Sequence, residues 1–272
     1  MAIESPENHP TVLVFAGHDP SGGAGIVADI EAITSMGGHA APVVTAIVPQ
    51  DTTDVKGYTA ISTALIIEQA RAVLEDMPVQ CIKIGMLGSR TNIEVIHSIL
   101  LQYENIPVVL DPVLGSGAGT ALSDDSMVRA MCDLLLPLTT VITPNSIEAR
   151  KLARQSDDLD ACAHELLAMG SQYVLVTGSH ENTHDVLNTL YGGQRKLQEY
   201  KWPRLAHDFH GSGCTLASSI AGLLAQGREP MSAIHEAQKY TWNTLKHGYR
   251  AGMGQLLPDR FFWAKEKKEG SK

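Results

Sequence analysis

The chain has 272 residues, a formal net charge of −9, 44% hydrophobic residues and 19% charged ones, enough apolar content for a sizeable single core. The acidic balance gives no general attraction to nucleic acid or anionic membranes. Cys81, Cys132, Cys162 and Cys214 form no CxxC pair and no zinc spacing, and no apolar run nears the roughly 20 residues that cross a bilayer, so a reducing, cytoplasmic setting is expected.

Residues 1–10 are polar, lack the basic and apolar regions of a signal peptide, and read as a tail. Apolar runs then alternate with amphipathic stretches. Thr11–Gly17 reads as a buried strand, Gly22–Met36 as a helix, Pro42–Val48 as a strand and Thr63–Met77 as a helix. Cys81–Gly85 is expected to be a strand, Asn92–Tyr103 a helix, Val108–Asp111 a short strand and Ser123–Leu136 a helix. Thr140–Thr143 follows as a strand, Ile147–Arg154 and Leu159–Met169 as helices, and Tyr173–Thr177 as a strand. Val186–Tyr191 and Arg195–Tyr200, separated by Gly192-Gly193, predict a hairpin at a sheet edge. Two long helices, Gly213–Gln226 and Pro230–Tyr249, come last, before a charged tail over residues 261–272 that is expected to fray. This alternation predicts an α/β fold of three layers, α/β/α, around a mostly parallel sheet. In such sheets ligands bind at the C-terminal strand ends, so the informative residues should follow strands.

Gly17-His18-Asp19-Pro20-Ser21-Gly22-Gly23-Ala24-Gly25 follows the first strand, and its glycines allow close backbone approach to a ligand. Gly23-x-Gly25-x-x-Ala28 also matches the dinucleotide fingerprint, with Asp51 after the second strand, so a dinucleotide-dependent oxidoreductase is one alternative. Against it, the first fingerprint glycine is displaced from the strand end. A tight turn without a ligand is another reading. His210-Gly211-Ser212-Gly213-Cys214-Thr215 is the sharpest signal, because glycines opening an apolar helix form an anion-binding nest suited to a phosphoryl group in flight. Cys214 lies in the first helical turn, where a thiol pKa tends to fall, and is a candidate proton acceptor; a merely buried thiol is the alternative. Asp111 and Glu148 follow strands and are candidates to hold Mg²⁺, although Asn145-x-x-Glu148 is also a capping box. Thr177-Gly178-Ser179-His180 closes another strand and is a candidate contact for nucleotide phosphates, with an ordinary turn as the alternative. Gly115–Gly119 reads as a flexible loop. No GxxxxGK[ST] sequence occurs.

Taken together, AGHDPSGGAG (16–25), KIGML (83–87), LDPV (110–113), TPNSIEA (143–149) and HGSGCTLASSIA (210–221) closely resemble the hydroxymethylpyrimidine/phosphomethylpyrimidine kinases of thiamine biosynthesis, in the ribokinase-like superfamily. The resemblance implies one kinase domain over residues 11–260 with a ribokinase-like fold. It implies ATP and Mg²⁺, a homodimer, and two successive phosphorylations, of 4-amino-5-hydroxymethyl-2-methylpyrimidine and then of its monophosphate. It implies Gln50 as the partner of the aminopyrimidine edge, with Gly17, Ala24, Asp29, Met86 and Val113 forming or supporting the pocket. Gly211, Gly213 and Cys214 become the anion hole and base, Asp111 and Glu148 the magnesium side, and Asn145, Thr177, Gly178 and Thr215 the ATP contacts. Pro49-Gln50-Asp51 departs from the Ala-Gln/Glu-Asn common in the family, and the loop 115–119 lacks the family's lysine. Pyridoxal kinase, which takes a similar flat hydroxymethyl ring, is the alternative within the superfamily.

Overall fold

The computed structural model describes residues 9–117, 119–156 and 158–269. Most of the N-terminal tail, residues 1–8, and the last three residues of the C-terminal tail lie outside that set. Nine strands form one sheet in the order β3-β2-β1-β4-β5-β6-β7-β8-β9. Strands β1 (Thr11–His18), β2 (His39–Ile47), β4 (Val79–Ile84), β5 (Val108–Leu110), β6 (Val141–Ile142) and β7 (Tyr173–Val176) pair in parallel. β3 (Thr59–Ala60) joins one edge antiparallel to β2, and β8 (Asp185–Gly192) with β9 (Arg195–Pro203) forms the hairpin at the other. The chain moves from β1 to β2 in one direction and to β4 in the other, so the strand order reverses beside β1.

The period of two along β1 explains the layers. Leu13 and Phe15 join one core cluster with α2 (Thr63–Leu74), α3 (Arg90–Leu100), α4 (Asp125–Ala130), α5 (Ser146–Leu152) and α6 (Leu159–Ala168). Val12, Val14 and Ala16 face the other cluster, built from α1 (Gly25–Ser35), α7 (Ser212–Ala225) and α8 (Pro230–Lys246). The three-layer expectation holds, and strands buried on both faces explain the continuous apolar runs.

Four local differences have physical reasons. The hairpin turn is Gly193-Gln194, both at positive φ, as a two-residue turn requires. Gly192 stays in β8, where a Cβ would lie 3.0 Å from the Tyr173 ring. The helix expected over 123–136 stops at Ala130 and passes through a π turn (Met131–Leu135) and a 3₁₀ turn (Leu136–Leu138), with Pro137 unable to donate a helical N–H. β3 is too short to carry a sequence pattern. The C-terminal stretch expected to fray holds a helix, α9 (Phe262–Glu269), whose Phe262 ring stacks on His247, 5.2 Å between centroids.

Candidate active site

The C-terminal ends of the parallel strands open into a cavity of about 890 Å³. Gly17, Ala24, Val48, Gln50, Met86 and Val113 line one end. Asp111, Gly211, Gly213 and Cys214 line the middle, and Thr177, Trp202, Trp242 and Leu245 the far end. The first end is tight even around a bare glycine: a Cβ on Gly17 would lie 3.1 Å from Val48 and 3.2 Å from the Met86 sulfur. Met86 is held by Thr45, whose hydroxyl donates to the Met86 carbonyl at 2.5 Å, and Asn92 ties down the next carbonyl at 2.8 Å. Gln50 borders this end, and its side-chain amide has no hydrogen-bond partner among the described residues.

The two glycine-rich segments meet over the middle. Gly211 caps α7 in a left-handed conformation (φ 84°), and a Cβ there would sit 1.9 Å from the Gly23 carbonyl oxygen. Gly25, also at positive φ, packs against the Gly17 carbonyl in the same way, 2.2 Å from a Cβ. Only glycine satisfies both the backbone and the space at these positions. Asp19 organises the first segment, accepting from the Ser21 and Ala24 N–H groups at 2.8 Å and from the Ser21 hydroxyl at 2.9 Å. Its carboxylate also meets His210 Nε2 at 2.9 Å, which links the two segments. Burial pushes the Asp19 carboxyl up, but the bonds from His210, Ser21 and Ala24 outweigh it and leave it below the usual carboxylate range. α2 to α5 carry side-chain caps, whereas α1 and α7 have none. Both helices begin on the cavity wall, α1 at Gly25 and α7 at Ser212, Gly213 and Cys214, so the first-turn N–H groups of α7 are available to an anion there.

A charge cluster lies beneath. Lys83 Nζ and Asp29 form an ion pair at 2.9 Å with neither side chain exposed, and Ser218 Oγ donates to the same Asp29 oxygen at 2.6 Å. Burial pulls the Lys83 ammonium down, but Asp29, Cys214 and Asp111 together raise it further, so it stays charged. Cys214 faces the cavity, yet its sulfur is desolvated and its pKa is pushed up to about 12; Lys83 opposes this, while Asp111 and Asp29 add to it. The expectation of a lowered thiol pKa is thus corrected: at neutral pH the unliganded thiol keeps its proton, and loss of water outweighs the helix N-terminus. The Gly25 N–H favours the thiolate and the Cys214 thiol favours the Asp111 carboxylate, both smaller effects than burial. Burial raises the Asp111 carboxyl, and its buried Oδ2 has no partner among the described residues. Glu148 is pushed up to about 8, first by burial and then by the charge of Asp111. It completes a capping box, accepting from the Asn145 N–H at 2.9 Å while Asn145 Oδ1 caps α5. The capping box is formed, and the capped end also presents the acid to the cavity.

Most residues proposed from the sequence converge here, but three do not reach the cavity wall. Asp29 stands behind it, its Oδ1 shared by Lys83 and Ser218 and its buried Oδ2 without a partner among the described residues. Thr215 is buried, donating to the Gly211 carbonyl at 2.8 Å and accepting from Arg260 Nε at 2.9 Å, so its hydroxyl is not offered to a nucleotide. The Gly178 N–H is used by Asn188 Oδ1 at 3.1 Å, and its Cα packs on the Leu187 carbonyl. The sequence reading gave no role to Lys83, Asp19 or Trp202. Lys83 did carry a signal, a lone charge within an apolar strand, which needs a buried partner.

The model of the phosphomethylpyrimidine kinase family matches residues 19–259. The chain is 32% identical over 264 residues to a hydroxymethylpyrimidine/phosphomethylpyrimidine kinase of Staphylococcus aureus, with 95% of each chain covered. It is 36% identical over 255 residues to a thiamine biosynthesis bifunctional protein of Geobacter sulfurreducens, covering 92% of this chain and spanning about half, 52%, of that relative. Among solved structures, the ADP complex of Bacillus subtilis pyridoxal kinase superposes with a TM-score of 0.86 at 26% identity, covering 94% of this chain and 99% of that one.

Proposed function

The chain belongs to the phosphomethylpyrimidine kinase family and has a ribokinase-like fold, and from that premise we propose that it transfers the γ-phosphoryl group of ATP to 4-amino-5-hydroxymethyl-2-methylpyrimidine and then to its monophosphate. The observation that carries this reading is the position of Cys214. It lies at the uncapped start of α7, between a narrow end lined by Gln50 and Met86 and a far end walled by Trp202 and Trp242. A flat aminopyrimidine offers one donor and one acceptor on its edge, and the Gln50 amide matches both. The Met86 thioether covers a ring face. The far end, with its Trp202 and Trp242 rings, suits a nucleotide.

The chemistry asked of the chain is mainly positioning and electrostatics, because a phosphoryl group in flight spreads negative charge over its equatorial oxygens. First-turn N–H groups of α7, with Gly213 open to the cavity, are fixed donors for that charge. Magnesium fits the acid pair: Asp111 keeps a buried oxygen without a partner among the described residues, and Glu148 is raised by burial and by the charge of Asp111, a repulsion that a divalent cation would offset. When bound, the ion would neutralise phosphate charge and cancel the field of Asp111 on the thiol. Lys83 favours the thiolate from the opposite side. Once its own proton has passed to solvent, Cys214 Sγ accepts the hydroxyl proton as the alcohol oxygen bonds to phosphorus and the bond to the ADP oxygen breaks, so ADP leaves and the thiol is regenerated. A cytoplasmic homodimer is part of the proposal.

Pyridoxal phosphorylation is the second reading, supported by the close superposition on a pyridoxal kinase. The family match argues against a dinucleotide-dependent oxidoreductase. The test is incubation with MgATP and each alcohol, with ADP release and product mass measured. Release of ADP with the pyrimidine and successive mass gains of one and two phosphoryl groups are expected. Turnover of pyridoxal alone would replace the first reading by the second, and no ADP release with either would refute both.

A further inference from the structure

We propose that Arg260 is a positioning residue for phosphoryl transfer, its buried guanidinium locking the two glycine segments together and so fixing where the first-turn N–H groups of α7 point. The inference rests on the phosphotransferase reading. Arg260 is 2% exposed and reaches three elements at once. Nε donates to Thr215 Oγ1 at 2.9 Å, Nη1 to Glu31 Oε2 at 3.0 Å and Nη2 to the Gly23 carbonyl at 2.5 Å.

Each contact has a consequence at the site. Thr215 Oγ1 donates onward to the Gly211 carbonyl at 2.8 Å, so the guanidinium reaches the cap residue of α7 through one hydroxyl. The Gly23 carbonyl is the atom on which Gly211 packs. The peptide unit that carries it also contains the Ala24 N–H, which Asp19 holds at 2.8 Å. Arg260 and Asp19 thus grip opposite edges of one peptide plane, beside Ala24 of the cavity wall. The residue is itself anchored, its carbonyl accepting from Ser35 Oγ at 2.8 Å and Tyr240 Oη at 2.7 Å.

The geometry requires arginine. A planar fork serves three acceptors in three directions, whereas the lysine ammonium is a single point of charge on a flexible stem. The glycines that let the two segments touch leave few side chains to interlock them; the Asp19–His210 contact is one link, and Arg260 adds a second from outside. A displacement of about 1 Å in a catalytic group costs about 10²-fold in rate, so loosening this tie should appear in kcat.

The experiment compares wild type, Arg260→Lys, Arg260→Ala and Thr215→Val as full chains, with steady-state kinetics for the alcohol and ATP and thermal unfolding alongside. Arg260→Lys is expected to lower kcat about 30- to 100-fold with both KM values within about threefold, on the misplacement argument. Thr215→Val keeps the guanidinium but cuts its route to Gly211, and should lower kcat about 5- to 10-fold, a smaller misplacement on the same scale. Millimolar guanidinium should restore activity to Arg260→Ala, and sodium chloride at equal ionic strength should not. Wild-type kcat in folded Thr215→Val overturns the proposal, even if the Arg260 variants do not fold. So does kcat loss in Arg260→Lys that only tracks the unfolded fraction. An inactive wild type would instead overturn the phosphotransferase reading on which the proposal stands.

Discussion

Glu148 offers a test of the site's electrostatics that needs no substrate. In the fold its carboxyl is pushed from 4.5 to about 8, by burial first and by Asp111 second. Below pH 4.5 it is protonated in both folded and unfolded chains and costs nothing. Between about 4.5 and 8 the folded protein holds a proton that the unfolded chain has lost, so stability falls as pH rises, and above about 8 the full cost remains. At about 1.4 kcal/mol per pKa unit the shift bounds that cost at about 5 kcal/mol, and partial access to water reduces it to about 2 kcal/mol. Glu148→Gln removes the charge and keeps an acceptor for the Asn145 N–H, losing only the 3.4 Å contact from Leu114 N. A net gain of about 1 kcal/mol near pH 8.5 is expected, or about 2–4 °C in Tm, vanishing below pH 5. Thermal unfolding of both proteins from pH 4.5 to 9, without divalent cations, measures it. Parallel Tm curves would refute the desolvated acid, and with it the support that its repulsion from Asp111 lends to a cation site there.

Other consequences are equally direct. Gln50→Ala should raise the KM for the pyrimidine by the equivalent of about 1–3 kcal/mol and change the ATP KM far less; equal effects on both would remove Gln50 from the ring-binding end. Cys214→Ala should lower turnover by ~10²-fold or more, and near wild-type turnover in a folded variant would leave the thiol a purely structural part. The same thiol, at about 12, should alkylate slowly with iodoacetamide at pH 7 and faster as pH rises beyond 9; a plateau near pH 8 would contradict its desolvation. Lys83→Met strands Asp29 with Ser218 as its remaining partner and should cost about 3–5 kcal/mol in urea unfolding, whereas a loss below about 1 kcal/mol would show that Asp29 neutralises cheaply.

The layered α/β/α frame was legible in the sequence because its causes are local. Leu13 and Phe15 alternate with Val12 and Val14, and only a strand covered on both faces tolerates that run. The glycines at 211 and 25, and the acids at 111 and 148, were legible for a similar reason: loops after parallel strands must gather at one end of the sheet. What each side chain meets there was not legible. Asp29 and Thr215 belong to the right segments but face inward, toward Lys83 and Arg260, because helix phase relative to the sheet depends on packing. The thiol was expected to be acidified from its place in a first turn, yet depth of burial sets its pKa, and depth belongs to the whole fold. The frame, the strand-end loops and the family follow from residue order alone. Only the tertiary structure decided which polar groups keep water and which are sealed against one another, because desolvation depends on everything packed around a group.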